Sequence, residues 1–557
     1  MVSRQLALFL AAALALPFTW PRRAHAAPSY GKGSRASIQD SAWTDHDGQA
    51  VPKPAPREPK IAAHLFRETV TEQISHGLDI PDKILWALEP LGVPRFREAV
   101  NINAFDEVPN STWFTNRNAM RAMSPQEIRD GPFGAQHPEL PWTVKEAKHG
   151  GVTPGFQIED ANGKRWLIKL DRIGCPELSS GADVVSSRLI WAAGYNFSHD
   201  EAVTFRREDL KLPENLARTP GDDPPPTEAE LDDLLSRGER GPDGRYYAGA
   251  SLFLPGDRIG PIRSRSRRDD DPNDWYTHPN RRELRALYVV FSWVNNWDVK
   301  DQQSLDMYEP AHADTGHVNH YLLDAGASLG ASAEGAKDVR RGFEQRFDLG
   351  WIGTRFFTLG LVQEPWRKAR QATGIPAVGN FEADVFEPQK WRPLQYVEPF
   401  RKMTEADAYW GAKLVASFSD SQIRAAIDAA GYEDPRAPVY LFQMLRERRD
   451  KVARYWFDRV APLDFFDVKD GVVRFHDLAV DLGLAQARRY EIEIAPPDRA
   501  TPTQVLELSV PEWQVGGFPS HFNEIHAEVA VAGSRATPVR LDLVRTANEW
   551  VVTRVRH

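Results

Sequence analysis

RRELRALYVVFSWVNNWDVKDQQSLDMYEPAHADTGHVNHYLLDAGASLG, residues 281–330, carries three local signals in succession. Leu284, Leu287, Tyr288, Phe291 and Val294 recur at three- and four-residue steps, which predicts a helix with an apolar face, ending near Asn295. A loop containing Asp298 follows. Residues 305–308 and 320–323 read as two short strands joined by the polar turn 312–316, so the second strand returns Asp324 towards the first loop. Two carboxylates, one just past a buried helix and one at a strand end, are expected to face one space.

Such a pair suits metal-assisted phosphoryl transfer, in which one carboxylate orients the attacking hydroxyl and another holds the divalent ion that bridges the nucleotide phosphates. The loop Asn296-Trp297-Asp298-Val299-Lys300-Asp301-Gln302-Gln303, with Asp324-Ala325-Gly326 after it, resembles the protein-kinase-like superfamily. Its atypical branches (lipid kinases, bacterial toxin kinases, secretory-pathway and spore-coat kinases) are nearer than the ordinary protein kinases. The resemblance implies that Asp298 takes the place of the catalytic Asp in H-R-D-L-K-x-x-N, and Asp324 that of the metal-binding Asp in D-F-G. Three positions depart from the pattern. Gln303 stands where the family has a metal-binding Asn, Asn296-Trp297 replaces His-Arg, and Ala325 replaces Phe. Glutamine keeps the amide oxygen but lengthens the reach, so a second metal position is either rebuilt or lost.

Upstream, the turn 150–156 bears Gly151 and Gly155 ahead of a strand, where backbone amides can approach phosphates; a plain hairpin is the equal alternative. In the strand 165–170, Trp166, Ile168 and Leu170 alternate with Leu167 and Lys169. Lys169 is then either a surface lysine or, as the resemblance implies, the lysine that pairs with the α and β phosphates. Apolar residues at helical steps over 181–193 predict a helix, and the resemblance implies that an acid on it pairs with that lysine. Asp183, inside the helix, is preferred to Glu177 upstream. Strands at 202–206 and 246–254 flank a Pro-, Asp- and Gly-rich insert, and 255–257 would be the hinge above a bound purine.

The whole chain has 557 residues, 41% apolar and 26% charged, with a formal charge of −9 that offers no basic footprint for nucleic acid. Its one dense basic run, 263–268, is followed at once by Asp269, Asp270 and Asp271 and reads as a solvated loop. Residues 1–26 have the pattern of a secretory signal, and no later segment is apolar enough to span a bilayer. The expected product is exported, to the periplasm or the extracellular space. The lone Cys175 has no disulfide partner and reads as a packed small residue. The segment 101–118 reads as an irregular packed loop. Aromatic residues crowd 343–396, and helices at 404–417, 419–430 and 438–457 precede alternating strands from 463 onward.

The resulting expectation is an α+β chain with a two-lobed protein-kinase-like fold, an N-terminal helical extension and a C-terminal antiparallel β domain. Its parts are a signal (1–26), a disordered linker (27–60), a helical and irregular extension (61–147), an N-lobe (148–257), a helical C-lobe (258–462) and the β domain (463–557). The implied activity moves a nucleotide γ-phosphate, with ATP or another nucleotide and Mg2+ or Mn2+, to a hydroxyl of a protein, glycan or small molecule. Asp298 is the expected catalytic group, Asp324 and Gln303 the metal ligands, and Lys169, Asp183, Gly151 and Gly155 the nucleotide-binding set. Two other functions remain: an inactive kinase-like binding module, and a carbohydrate-binding or carbohydrate-active envelope protein, which 17 tryptophans would suit.

Overall fold

The computed structural model describes residues 43–58, a few isolated positions between 66 and 85, and residues 95–148, 151–213, 225–369, 373–495, 502–516, 522–546 and 549–557. The expected signal, most of the expected helices between 61 and 91, and Gly150 lie outside the described residues. The described chain is a mixed α and β protein.

Its first sheet holds six strands: β1 (Trp142–Ala147), β2 (Gly155–Glu159), β3 (Arg165–Leu170), β4 (Asp200–Phe205), β5 (Leu210–Lys211) and β6 (Tyr246–Leu252), in the order β4-β6-β3-β2-β1-β5. Trp166, Ile168 and Leu170 of β3 point to one face. There they are at most 1% exposed, in a core with Phe156, Ile158 and Phe205. Helix α2 (Glu228–Leu235), inside the polar insert, seals this core with Leu231, Leu234 and Leu235. Lys169 therefore faces the other way, towards helix α1 (Leu178–Ala193). That helix packs closely: a Cβ on Gly181 would stand 2.5 Å from the Tyr432 ring.

The chain leaves the sheet at Gly256, whose φ of +88° and 2.4 Å virtual Cβ contact with the Tyr308 carbonyl admit no other side chain. It then enters a three-stranded sheet, β7 (Asp257–Gly260), β8 (Ser304–Pro310) and β9 (Gly316–Leu322). Between β7 and β8 runs α3 (Arg282–Val294), buried along its whole length and ended by Asn295 in the left-handed region. Helices α5 (Glu405–Ala416), α6 (Asp420–Asp428) and α7 (Arg436–Phe457) share a core with α3, and α4 (Leu349–Phe357) precedes them. Thr404 and Ser419 begin α5 and α6 with reciprocal capping boxes, which satisfy the first orphan N–H groups of each.

Charge is buried along α3. Arg282 gives Nε to Asp407 Oδ1 at 3.1 Å and Nη1 to Asp106 Oδ1 at 2.7 Å, while Arg285 Nη1 lies 3.0 Å from Asp407 Oδ2. Burial would raise the Asp106 pKa, but the Arg282 cation and the hydrogen bonds from His557 more than offset it and hold the carboxyl below its usual range.

Beyond α7 the strands β10 (Leu463–Lys469), β11 (Val472–Asp477), β12 (Tyr490–Ala495), β13 (Gln504–Leu508), β14 (Glu512–Gln514), β15 (Glu524–Val531), β16 (Val539–Thr546) and β17 (Glu549–Arg556) form two antiparallel sheets. Their orders are β13-β12-β15-β16-β17 and β10-β11-β14, around a shared core that includes Ile492, Trp513, Val529 and Leu541. Buried Lys413 ties these strands to α5, since its Nζ meets both Glu107 and Asp464.

Two readings from composition need correction. Residues 43–58, expected within a disordered linker, form a strap: Trp43 stacks on Phe105, Thr44 bridges Asn110, Val51 bridges Gly316, and Arg57 N–H donates to Ile259 O. Their apolar anchors are too widely spaced to show a period, yet each fits a site on the folded body. The basic run is not wholly solvated either. Arg268 is 1% exposed, paired with Asp306 of β8 at 3.0 Å and donating to the Ala55 and Ile259 carbonyls. The nearer of its two acids, Asp306, comes from a distant strand, a pairing that sequence proximity cannot show, while Asp270 of the adjacent acidic run lies 3.5 Å from its Nε. The segment 101–118 is a packed loop, with Phe105, Val108, Trp113 and Phe114 in cores.

Candidate active site

On the inner face of β3, Lys169 Nζ lies 2.8 Å from Asp183 Oδ2 and 3.2 Å from Asp324 Oδ1. Asp183 Oδ1 accepts the Ala325 N–H at 2.7 Å, so one carboxylate joins the strand lysine to the Asp-Ala-Gly turn. That turn is seated on α1: Ser179 Oγ donates to the Gly326 carbonyl and Ser328 Oγ contacts Ser186 Oγ at 2.6 Å. Ala325 is fully buried, and a Cβ on Gly326 would stand 2.8 Å from Ser179 Oγ. A small residue and a glycine suit this close approach. Asp324 itself adopts φ 58°, and its side chain remains 52% exposed while those of Lys169 and Asp183 are 16% and 4% exposed.

These groups shift one another. Burial alone would lower the Lys169 pKa, but Asp183, Asp324 and Asp200 hold it well above its ordinary value. Burial, with Asp200 nearby, pushes Asp183 up to about 7 against the pull of Lys169. The Lys169 cation holds Asp324 below the usual carboxylate range, aided by Lys300 and Lys148. Asp324 is thus the ionised and half-exposed acid of the set.

Asp298 comes from the other side. Asn296 N–H donates to Phe291 O, and Trp297 Nε1 donates to Ala331 O at 3.1 Å, so the pair that replaces His-Arg fastens the loop to α3 and to the chain beyond Asp324. Asp298 Oδ2 accepts from Lys300 Nζ at 2.7 Å and Gln303 Nε2 at 3.2 Å. The antiparallel register Ser304↔Leu322 and the Leu323 N–H to Gln303 O bond then bring this loop beside Asp324.

Among the described residues no three acid, His or Cys side chains converge as a ready-made metal cage. Magnesium does not require one, because it is commonly held by one or two carboxylates plus substrate phosphates and water. The half-exposed Asp324 carboxylate, with Oδ2 making no described hydrogen bond, fits that role. Gln303 spends its amide N–H on Asp298, leaving the amide oxygen as its contribution.

The two glycines separate. Gly151, at φ +77°, lies in the β1–β2 turn with Lys148 Nζ 2.8 Å from where its Cβ would stand. Gly155 pairs with Lys169 in the sheet, and a Cβ there would lie 2.2 Å from Ile168 O, so its lack of a side chain is already required by the strand. Lys148, at the base of the turn, is a cation that the sequence reading missed. Its Nζ donates to Thr153 O at 2.8 Å; burial and the Lys169 charge lower its pKa, and Asp324 raises it. Its only sequence signal is its position ahead of the turn. Lys300 and Asp200 were also missed, although Lys300 occupies the lysine position of the resembled loop.

Glu177 is not the partner of Lys169. Its carboxylate accepts the Glu433 N–H at 3.0 and 3.1 Å. Burial, with repulsion from Glu433 and Asp171, pushes its pKa up to about 7 from 4.5. A raised folded-state pKa means the native state binds more protons, so this group's contribution is full below pH 4.5 and is lost as pH rises towards 7. Glu177→Gln is expected to be more stable than wild type at pH 8 by about 1–3 kcal/mol, with the gap closing by pH 4.5. Urea unfolding at the two pH values measures it, and an equal difference at both would refute the assignment.

Comparison with known proteins adds little to this geometry. No protein-family model matches the chain, and no curated protein matches it. Among solved structures it is similar to the proinflammatory kinase CtkA of Helicobacter pylori, at 10% identity and a TM-score of 0.33, over 57% of this chain and 99% of that one. It is similar to the Golgi casein kinase with Mn/ADP bound at 11% identity and 0.30, over 70% and 88% of the two chains. A second structure of the Golgi casein kinase gives 11% and 0.31, over 78% and 94%. Likeness at this level decides nothing about what Lys169, Asp183, Asp298 and Asp324 do.

Proposed function

We propose that the chain is a kinase-like phosphotransferase that moves the γ-phosphoryl group of a nucleotide to a hydroxyl of a protein, glycan or small molecule. The observation that carries this reading is Lys169 held at once by Asp183 and Asp324. A lysine fixed by a buried acid and aimed at a half-exposed acid is an arrangement for gripping phosphates beside a metal. Lys169, with Lys148 behind the 151–154 turn, would neutralise the phosphates, and the purine would lie beneath the chain crossing at 255–257. Asp324, with Gln303, would hold Mg2+ or Mn2+, which when bound shields the phosphate charge.

Asp298, steadied by Lys300 and Gln303, would accept the hydrogen bond of the acceptor hydroxyl and then its proton. The hydroxyl oxygen forms the new bond to phosphorus, the bond to the β-phosphate oxygen breaks, and nucleoside diphosphate leaves. Positioning and charge neutralisation supply nearly all of such catalysis. In this reading residues 148–257 and 258–462 act as two lobes around the cleft, and the strands from 463 onward dock or stabilise. The pattern of residues 1–26 supports export.

The reading is tested by thermal stability of the chain with ATP or GTP, with and without magnesium or manganese. A metal-dependent rise is expected; no shift with any nucleotide would reject the proposal. Lys169→Met is expected to weaken nucleotide binding by roughly 10–100-fold, the loss of a charge-assisted phosphate contact of about 1.5–3 kcal/mol. Calorimetric titration checks it, and unchanged affinity would remove Lys169 from the site. Nucleotide binding without transfer to any hydroxyl would instead favour a binding module, a reading supported by the two donors already on Asp298.

A further inference from the structure

A cavity of about 310 Å3 lies among the residues that follow Asp324, where aromatic side chains crowd the sequence. Trp351 of α4, Phe343, Phe386 and Trp391 supply apolar wall, and Lys337, Asn380 and Arg448 reach it as polar groups. The Lys169–Asp324 groups are not among its walls. The volume is in the range of small-molecule sites, and the mix of apolar wall with a few convergent polar groups is typical of them.

The charge inside does not balance. Lys337 is 4% exposed, and its ammonium makes a single described hydrogen bond, to Arg341 O at 2.8 Å. Arg448, 3% exposed, donates to the carbonyls of Ser292, Trp293 and Glu382 and stacks 3.5 Å over Phe386, with no carboxylate in ion-pair range among the described residues. Glu382 is the one buried carboxylate among the walls, and it already accepts the Val385 N–H. At the rim, Asp348 and Glu387 offset Arg392 and Lys390. Two buried basic groups against one buried acid make the lining receptive to an added anion, which would favour the protonated form of Lys337. The strain is visible in Lys337 itself: burial, with Arg448 nearby, pushes its pKa down to about 7. Asn380 Nδ2 donates to the Lys337 carbonyl, while its buried Oδ1 has no partner among the described residues, an acceptor waiting for a donor.

We propose that this cavity is a second ligand site, separate from the phosphotransfer cleft, for a small aromatic anion of one or two negative charges. Its carboxylate or phosphate meets Lys337 Nζ, its flat body lies against Trp351 and Phe343, and a hydroxyl or N–H on it reaches Asn380 Oδ1. The site adjoins the support of the Asp298 loop. Asn295, which ends α3, lines the cavity and takes the Trp391 Nε1 hydrogen bond at 2.9 Å, and Arg341, the residue beneath Lys337, stacks over Trp297.

The test is thermal stability and calorimetry of the full chain without nucleotide or metal, using benzoate, phenyl phosphate and the uncharged benzyl alcohol as probes. At least one anion is expected to raise the melting temperature by several degrees at saturation, with benzyl alcohol raising it little. Lys337→Met, which fills the same space without charge, is expected to abolish the anion shift while leaving the nucleotide response of the cleft unchanged. Trp351→Ala, at the wall, is expected to weaken the anion at least tenfold and serves if the Met variant does not fold. Three results would overturn the proposal: no shift with either anion, an equal shift with benzyl alcohol, or an anion shift that survives both substitutions. The nucleotide titration is read on the same samples, so failure here and failure of the phosphotransferase reading show separately.

Discussion

Asp324→Asn is expected to abolish the metal-dependent rise in stability with nucleotide and to lower kcat/KM for phosphotransfer by on the order of 10²–10³-fold, the usual cost of removing one electrostatic element of a transition-state site. Asparagine is the cleaner substitution because residue 324 sits at φ 58°, a conformation that Asn tolerates and Ala resists. The fold should survive, since the side chain is half exposed and Lys169 keeps its bond to Asp183. Circular dichroism would confirm that, and calorimetry with Mg2+ and nucleotide would give the result. Metal-dependent binding that persists in this variant would remove Asp324 from the metal, whatever the fate of the rest of the site.

The second large effect concerns stability. Asp407 is fully buried, neutralises Arg282 and Arg285 together, and receives the Thr404 N–H as part of the α5 cap. Asp407→Ala leaves two interior guanidinium groups short of a counter-charge and opens the cap. The expected loss is about 3–5 kcal/mol, the range seen when one partner is deleted from a buried ion pair. Asp407→Asn retains the acceptor for the cap and should lose less. The shift of the urea midpoint at constant slope measures both, and a loss below about 1 kcal/mol in the Ala variant would show that water reaches the arginines.

The local elements of the site were legible. Apolar steps over 284–294 gave α3, alternation over 165–170 put Lys169 opposite Trp166, Ile168 and Leu170, and the polar turn at 312–316 returned Asp324 beside the Asp298 loop. Each of these is a periodicity or a turn rule within a dozen residues. What could not be read is what distant segments do to one another. Lys148 bonds to Thr153 O across the β1–β2 turn with its charge felt by Lys169 and Asp324, Arg268 pairs with an acid 38 positions on, and Lys413 lies between Glu107 and Asp464. Charges look solvated in a sequence because their partners are elsewhere in it. The strap at 43–58 was hidden for a related reason: its few anchors match pockets of the folded body and carry no period of their own.

That strap also has a mechanical side. Val51 exchanges main-chain hydrogen bonds with Gly316 at the turn end of the β8–β9 hairpin, and Arg57 bonds to Ile259 on β7. The opposite end of the same hairpin carries Gln303 and Asp324. A tether at residue 43 would thus be in series with the hairpin, and tension along it would load the short paired segments before it loaded the helical core. If the upstream chain is held while the rest is pulled, the pairing of Trp43 and Asp45 with Asn110 and the Asp47–Thr112 contact should yield first, and only after them the clasp at Val51 and Gly316 that bears on the hairpin.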